Sequence, residues 1–98
     1  MIDIKLFKLV TGEEVLCTVI DTNDTSYIIE NSVVLIYQQR PDGKMSAGFA
    51  PFMPYAKKYI SVSISSIIAE TSVDDEMIFE YKRIFSGITI APASAIIS

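Results

Sequence analysis

The segment Val15-Leu16-Cys17-Thr18-Val19-Ile20 constrains the fold more than any other stretch, because apolar residues stand on both of its faces. Side chains alternate across an extended strand, so Val15, Cys17 and Val19 share one face and Leu16, Thr18 and Ile20 the other. Such a strand is at least partly covered on both sides. In a chain of 98 residues, the length of one domain, few elements are available to supply that cover.

The neighbouring segments read as further strands. Ile2, Ile4 and Leu6 alternate with Asp3 and Lys5 and stop at Thr11-Gly12, a strand ending in a turn. Asp21-Thr22-Asn23-Asp24-Thr25-Ser26 is a cluster of turn formers whose short side chains can bond their own backbone, and it reverses the chain into a hairpin. A third strand runs from about Tyr27 to Gln39, long enough to bend near Glu30-Asn31-Ser32. Arg40-Pro41-Asp42-Gly43-Lys44 is a turn, with Pro fixing φ early and Gly permitting positive φ later. Pro51 and Pro54 cannot donate to a ladder, so Met45 to Tyr55 is an edge strand broken by a loop, or simply a loop. Lys57 to Ile68 returns to strand composition, either as two strands with a tight connection within Ser61 to Ser66 or as one long strand.

After Thr71 the period changes. Ser72 reads as an N-cap, with Asp74, Asp75 and Glu76 complementing the positive end of a helix dipole, Lys82 and Arg83 suiting the other end, and Gly87 as the stop. Met77, Ile78, Tyr81, Ile84 and Phe85 form one stripe that should pack on the sheet. Phe79 projects from the opposite side, as tolerated exposure or, with the apolar tail Ile88-Thr89-Ile90-Ala91 and Ile96-Ile97, as a subunit contact. The tail is expected to be an exchanged strand or an ordered arm.

Half of the residues are hydrophobic and a fifth charged, more apolar surface than one small core hides, which points to self-association. Eight Lys and Arg against twelve Asp and Glu leave a net charge of -4, which opposes unspecific adhesion to nucleic acid or anionic membrane. The single Cys17 cannot form an internal disulfide and reads as a buried thiol in a reducing compartment. Met1 to Val10 mixes Asp3, Lys5 and Lys8 into its apolar residues and lacks the continuous hydrophobic region of a secretory signal. No apolar run approaches the roughly 20 residues that span a bilayer. A cytoplasmic protein without a membrane partner is therefore expected.

Conventional catalytic chemistry has few candidates here. Without histidine, Ser-His-Asp and Cys-His arrangements are impossible and the commonest general base is missing. No paired cysteines suggest zinc, no phosphate-binding glycine motif occurs, and no cofactor is implied. Glu13-Glu14 beside a turn and Asp74-Asp75-Glu76 at a helix start read as solvated turn and dipole partners rather than catalytic carboxylates. Lys57-Lys58 between Tyr55 and Tyr59 combines cations with rings, the pairing that meets phosphates and stacks on bases, although the residues alone favour a solvated lysine pair at a strand start. The chain is thus read as a binding protein and not an enzyme.

The segment Leu9-Val10-Thr11-Gly12-Glu13-Glu14-Val15-Leu16-Cys17-Thr18-Val19-Ile20-Asp21, with Tyr27-Ile28-Ile29-Glu30-Asn31-Ser32-Val33 after a polar turn, resembles the first signature of the Sm-like (LSm, Hfq-like) family. The likeness extends more loosely through Ile64-Ser65-Ser66-Ile67-Ile68. It implies a small, strongly bent five-stranded barrel, mostly β, over residues 1–71, to which this chain adds over 72–98 the C-terminal helix read above, from about Asp74 to Phe85, and an apolar tail. It also implies a homo-oligomeric ring that binds single-stranded, often uridine-rich RNA through two loops. Carried onto this chain, those loops offer Asn23, Asp24 and Ser26 in the first and Ser61 and Ser63 in the second, with Lys57 and Lys58 adding positive potential if they face the same rim. Metal ligands are not implied.

Several residues depart from the family pattern. Cys17 stands where the family has a mid-strand Gly, and the first loop is one residue short. Ile60, Ser61, Val62 and Ser63 replace the second loop's basic signature, and the helix follows the barrel instead of preceding it. A short acidic domain of this kind looks like one from a phage or its bacterial host. The alternative is a structural or assembly ring with no nucleic-acid partner.

Overall fold

A computed structural model describes residues 3–86, in which six antiparallel strands precede one helix. The strands are β1 (Asp3–Leu9), β2 (Glu14–Thr22), β3 (Ser26–Gln39), β4 (Met45–Pro51), β5 (Ile60–Ser63) and β6 (Ile67–Thr71), followed by α1 (Asp75–Ser86). Sheet order is β4-β3-β2-β1-β6, and β5 pairs with the first part of β3. The expected Ile2, Gly87 and the tail Ile88 to Ile97 lie outside the described residues. Two turns set the hairpins. Gly12 adopts φ 101° between β1 and β2, and Gly43 adopts φ 87° between β3 and β4, conformations that an L side chain strains to reach.

The count of six where five strands were expected has a local cause. Both β4 and β5 run antiparallel to β3 along one edge, β4 against Val33 to Gln39 and β5 against Ser26 to Ile29. They are two halves of one strand line, interrupted where Pro51 and Pro54 cannot supply N–H donors. A 3₁₀ turn at Ile64–Ser66 is the tight connection from β5 to β6, which crosses to pair with β1.

The sheet curls without closing. Tyr27 on β3 donates its hydroxyl hydrogen to Glu70 on β6 at 2.8 Å, although β2 and β1 lie between them. In a flat sheet three strand spacings would separate those backbones by about 14 Å. Phe7 and Tyr27 also stack, with ring centroids 5.1 Å apart. Inside the curl lie Phe7, Leu9, Val15, Cys17, Val19, Ile29 and Val62, drawn from four strands. No ladder joins β5 to β6 among the described residues, so the barrel expected from sequence is an open, strongly curved sheet.

The second face of β2 is covered by the helix. Leu16, Val33, Leu35 and Tyr81 form a separate buried cluster, joined by Ile4, Leu6, Phe49, Val73, Met77 and Phe85. Tyr27 and Ile29 belong to the inner cluster while Val33 and Leu35 belong to the outer one, so β3 changes the face of its odd residues in between. Asn31, at φ 53°, produces the change. The β2–β3 register slips there, with Leu16 opposite Val33 and Thr18 opposite Glu30, so β3 holds one extra residue. This is a bulge, and it bends β3 where the sequence places the bend. Cys17, in place of the family's glycine, lies within the same two-residue step of β2, so bending is delivered from the partner strand.

Helix α1 starts one residue later than expected and with another cap. Asp74, not Ser72, accepts the Met77 backbone N–H at 2.9 Å. The carboxylate outcompetes Ser72 because it stands three residues before that amide, the spacing a capping side chain needs. The stripe Met77, Tyr81 and Phe85 faces the sheet, and Phe79 is 65% exposed on the other side.

Tyr81 fastens the helix to the bulge. Its hydroxyl lies 2.7 Å from the Asn31 carbonyl oxygen and 2.8 Å from Thr18 Oγ1. A carbonyl only accepts, so Tyr81 donates to Asn31 and Thr18 donates to Tyr81. Burial pushes the Tyr81 phenol from 10.0 to about 12, and burial likewise pushes the Cys17 thiol from 9.0 to about 12. Both groups hold protons more tightly folded than unfolded. Their contribution is whole below pH 9 and is lost as pH rises towards 12. Tyr81→Phe should cost about 1–3 kcal/mol in urea unfolding, because it strands the buried Thr18 hydroxyl. Adding Thr18→Val should cost less than the sum of the two single changes, and Tyr81→Phe should flatten the alkaline decline above pH 10.

Candidate functional site

The residues that carry the loop signature meet at one end of the sheet. The β2–β3 loop is stapled by a single atom, Asn23 Oδ1. It accepts the backbone N–H groups of Thr25 and Ser26, each at 2.9 Å. It also accepts the hydroxyls of Thr25 at 3.1 Å and Ser26 at 3.2 Å. The run of turn formers dictates this arrangement, since a short carboxamide can mimic a backbone acceptor. Asn23 therefore spends its oxygen on the turn, and only its NH₂ group is left to serve a ligand. Asp24 sits exposed at the loop tip.

The second loop is docked against the first. Ile64 N–H donates to the Thr25 carbonyl at 2.9 Å, and Ser63 lies directly opposite Ser26 in the β3–β5 ladder. Val62 is buried in the curl, so its neighbours Ser61 and Ser63 face outward by strand alternation. Ser63 Oγ and Ser65 Oγ are 2.8 Å apart, and Ser66 Oγ donates to the Ser63 carbonyl at 2.7 Å. The result is a rim of hydroxyls and one carboxamide at the Ser63 end of β5, with Ser61 two residues further along the strand, opposite Ile28.

Lys57 and Lys58 are placed elsewhere. They precede Ile60, the end of β5 that pairs with Ile29, whereas the hydroxyl rim is at the Ser63 end. Both lysines are exposed, and Lys58 Nζ stands 5.3 Å from the centre of the Tyr59 ring. Tyr55 beside them is 99% exposed. The stretch from Gly43 to Ala69 contains three lysines and no acidic residue, so the negative charge of the chain is concentrated outside β4, β5 and their loop.

Sequence reasoning missed the roles of Thr25, Ser65 and Ser66. The Ile64–Thr25 bond that joins the loops links residues far apart in the chain, and no local pattern announces it. The acidic pairs have structural partners. Glu14 bridges to Lys8 at 3.6 Å and accepts from the Tyr37 hydroxyl at 2.5 Å, Glu13 accepts from Thr11, and Asp74 caps the helix. Among the described residues no group of three His, Cys, Asp or Glu converges on a point where a metal ion would sit. The high Cys17 pKa keeps its thiol protonated at neutral pH. No helix among the described residues is long and apolar enough to cross a membrane.

A family model described as Sm_like domain matches residues 6–82. No curated protein matches the chain.

Asn23→Ala should release the Thr25 and Ser26 amides to solvent, each losing a bond of about 0.5–1.5 kcal/mol. Their hydrogen exchange should rise by roughly tenfold while the β1 and β2 amides stay protected. Asn23→Asp keeps an acceptor at the same place and should retain protection.

Proposed function

The chain belongs to the Sm-like family, and from that premise we propose that copies of it pair the open edges of their sheets to form a homo-oligomeric ring. What supports this reading is the curled, unclosed sheet, in which the outer edges of β4 and β6 have no partner strand among the described residues. Exposed edges are usually blunted by charge, and these are not. Met45–Pro51 contains no charged residue. Ile67–Thr71 contains only Glu70, which is engaged by Lys5 and Tyr27. Exposed apolar side chains accompany both edges, Met45 on β4 and Ile68 on β6. Pairing the β4 edge of one copy with the β6 edge of the next is a head-to-tail contact, which closes when the rotation per subunit divides a full turn.

In such a ring the hydroxyl rim recurs once per subunit, and we read that repeated face as a site for single-stranded RNA. The docking of the Ile64–Ser66 turn on the β2–β3 loop favours it, because weak contacts from Asn23, Ser26, Ser61 and Ser63 would add by avidity. The rim carries no cation, and Asp24 opposes phosphates. Binding is therefore expected to be modest and to draw on Lys57 and Lys58 for its salt dependence. The protein acts in this reading by binding or assembly rather than catalysis. A ring serving assembly alone is the competing account, favoured by the net charge of -4.

Sedimentation equilibrium at micromolar concentration should find a closed oligomer, and a monomer would contradict the ring. Ile68 is 63% exposed, so Ile68→Lys should change the stability of the single chain by no more than about 0.5 kcal/mol while weakening assembly at least tenfold.

Titrating uridine-rich, adenine-rich and mixed short RNAs at two salt concentrations tests the second reading. Salt-sensitive binding that drops in Ser26→Ala and in the Lys57→Ala, Lys58→Ala double variant is expected. No binding at tens of micromolar would leave the assembly ring as the better account.

A further inference from the structure

A cleft beside the last turn of α1 is walled by Val33 of β3, by Phe49, Ala50 and Pro51 of β4, and by Ile84 and Phe85 of the helix. Its volume is about 400 Å³. Clefts of roughly 300–1,000 Å³ are large enough to take up a bound group. Among the described residues that line it, Ser32 is the only polar one. An apolar cleft of this kind penalises a charged occupant and rewards a hydrocarbon one.

The chain carries such an occupant next to the cleft. The residues from Gly87 to Ser98 include no charged side chain and four of them are isoleucine, with Ile88 and Ile90 alternating with Thr89 and Ala91. They follow Ser86 directly, and Phe85 is itself a wall of the cleft. An extended chain advances about 3.3–3.6 Å per residue, so Ile88 to Ala91 can reach any point of the cleft from Phe85. A segment tethered this closely has an effective concentration in the millimolar range, ahead of a second copy or free partner at micromolar concentration.

We propose that the segment Ile88-Thr89-Ile90-Ala91 of the same chain occupies this cleft, setting Ile88 and Ile90 against Phe49, Ala50 and Phe85. Gly87, the residue type that reaches positive φ without strain, stands at the sequence position where a chain leaving a helix can turn back. The segment then extends the cluster of Leu16, Val33, Leu35 and Tyr81 and seals the open side of the helix–sheet contact. It leaves the outer edge of β4 to other partners, so the inference holds with or without the ring.

Disulfide trapping in the full chain tests this. Ala50→Cys with Ile88→Cys should close a bond within one chain under mild oxidation, at least about tenfold faster than a control that pairs Ile88→Cys with Thr11→Cys. Cys17 is buried and its thiol is held at about 12, so it stays out of the exchange. Mass spectrometry without reductant assigns the bond and the chain count. A chain ending at Ser86 should melt at lower temperature, and Ile90→Asp in the full chain should reproduce the shift. A bond that links two chains overturns the proposal, as does trapping no faster than the control. An unchanged melting temperature in both altered chains also overturns it.

Discussion

One hydroxyl, that of Tyr81, stands between the helix and the bend of the sheet. The bulge at Asn31 turns a backbone carbonyl away from the β ladder, and such a group needs a donor. Thr18, buried in the middle of β2, brings a hydroxyl that needs an acceptor. Tyr81 answers both with one oxygen, and it does so from a helix that must be seated on Leu16, Val33 and Leu35 to reach them. The bend, the two-faced burial of β2 and the position of α1 are therefore a single solution to one hydrogen-bonding problem. Because the ring of Tyr81 also packs on Phe85 at 5.1 Å, its hydroxyl has little freedom to point elsewhere.

Much of this was legible in the chain. The apolar residues on both faces of Val15 to Ile20 announced double cover, and both faces are in fact buried. The stripe of Met77, Tyr81 and Phe85 announced what covers one of them. The turn formers from Asp21 to Ser26 announced a self-bonded loop, and Asn23 binds it. Two features were not legible. Strand alternation cannot show that β3 changes face at Asn31, because the flanking runs Tyr27 to Ile29 and Val33 to Ile36 are apolar in both registers and only the partner strand decides. The cap differs because Ser72 and Asp74 are both good capping residues, and Asp74 is the one that stands three residues before the bonded Met77 amide.

The polar rim was legible by resemblance and only in part by chemistry. Family position named Asn23, Ser26, Ser61 and Ser63, and the fold gathers Asn23, Ser26 and Ser63 at the Ser63 end of β5, with Ser61 two residues back, opposite Ile28. What resemblance could not convey is that the Asn23 oxygen is consumed by its own turn, so its capacity for recognition is half that of a free carboxamide. Nor could it place Lys57 and Lys58, whose position follows from the direction of β5. The lysines and the hydroxyls flank opposite ends of one short strand, which separates charge attraction from hydrogen-bond recognition by the length of that strand.

The interruption between β4 and β5 has a consequence for how this fold can vary. Each half is anchored to β3 by its own ladder, one at Val33 to Gln39 and the other at Ser26 to Ile29, and Phe52 N–H extends the first by bonding the Ser32 carbonyl, so neither register depends on the residues from Met53 to Tyr59. Lengthening a loop costs little entropy, rising only with the logarithm of its length. A foreign peptide could thus be grafted beside Tyr55 while both halves of the strand keep their alignment, and in a ring the graft would be displayed once per subunit with the symmetry of the assembly.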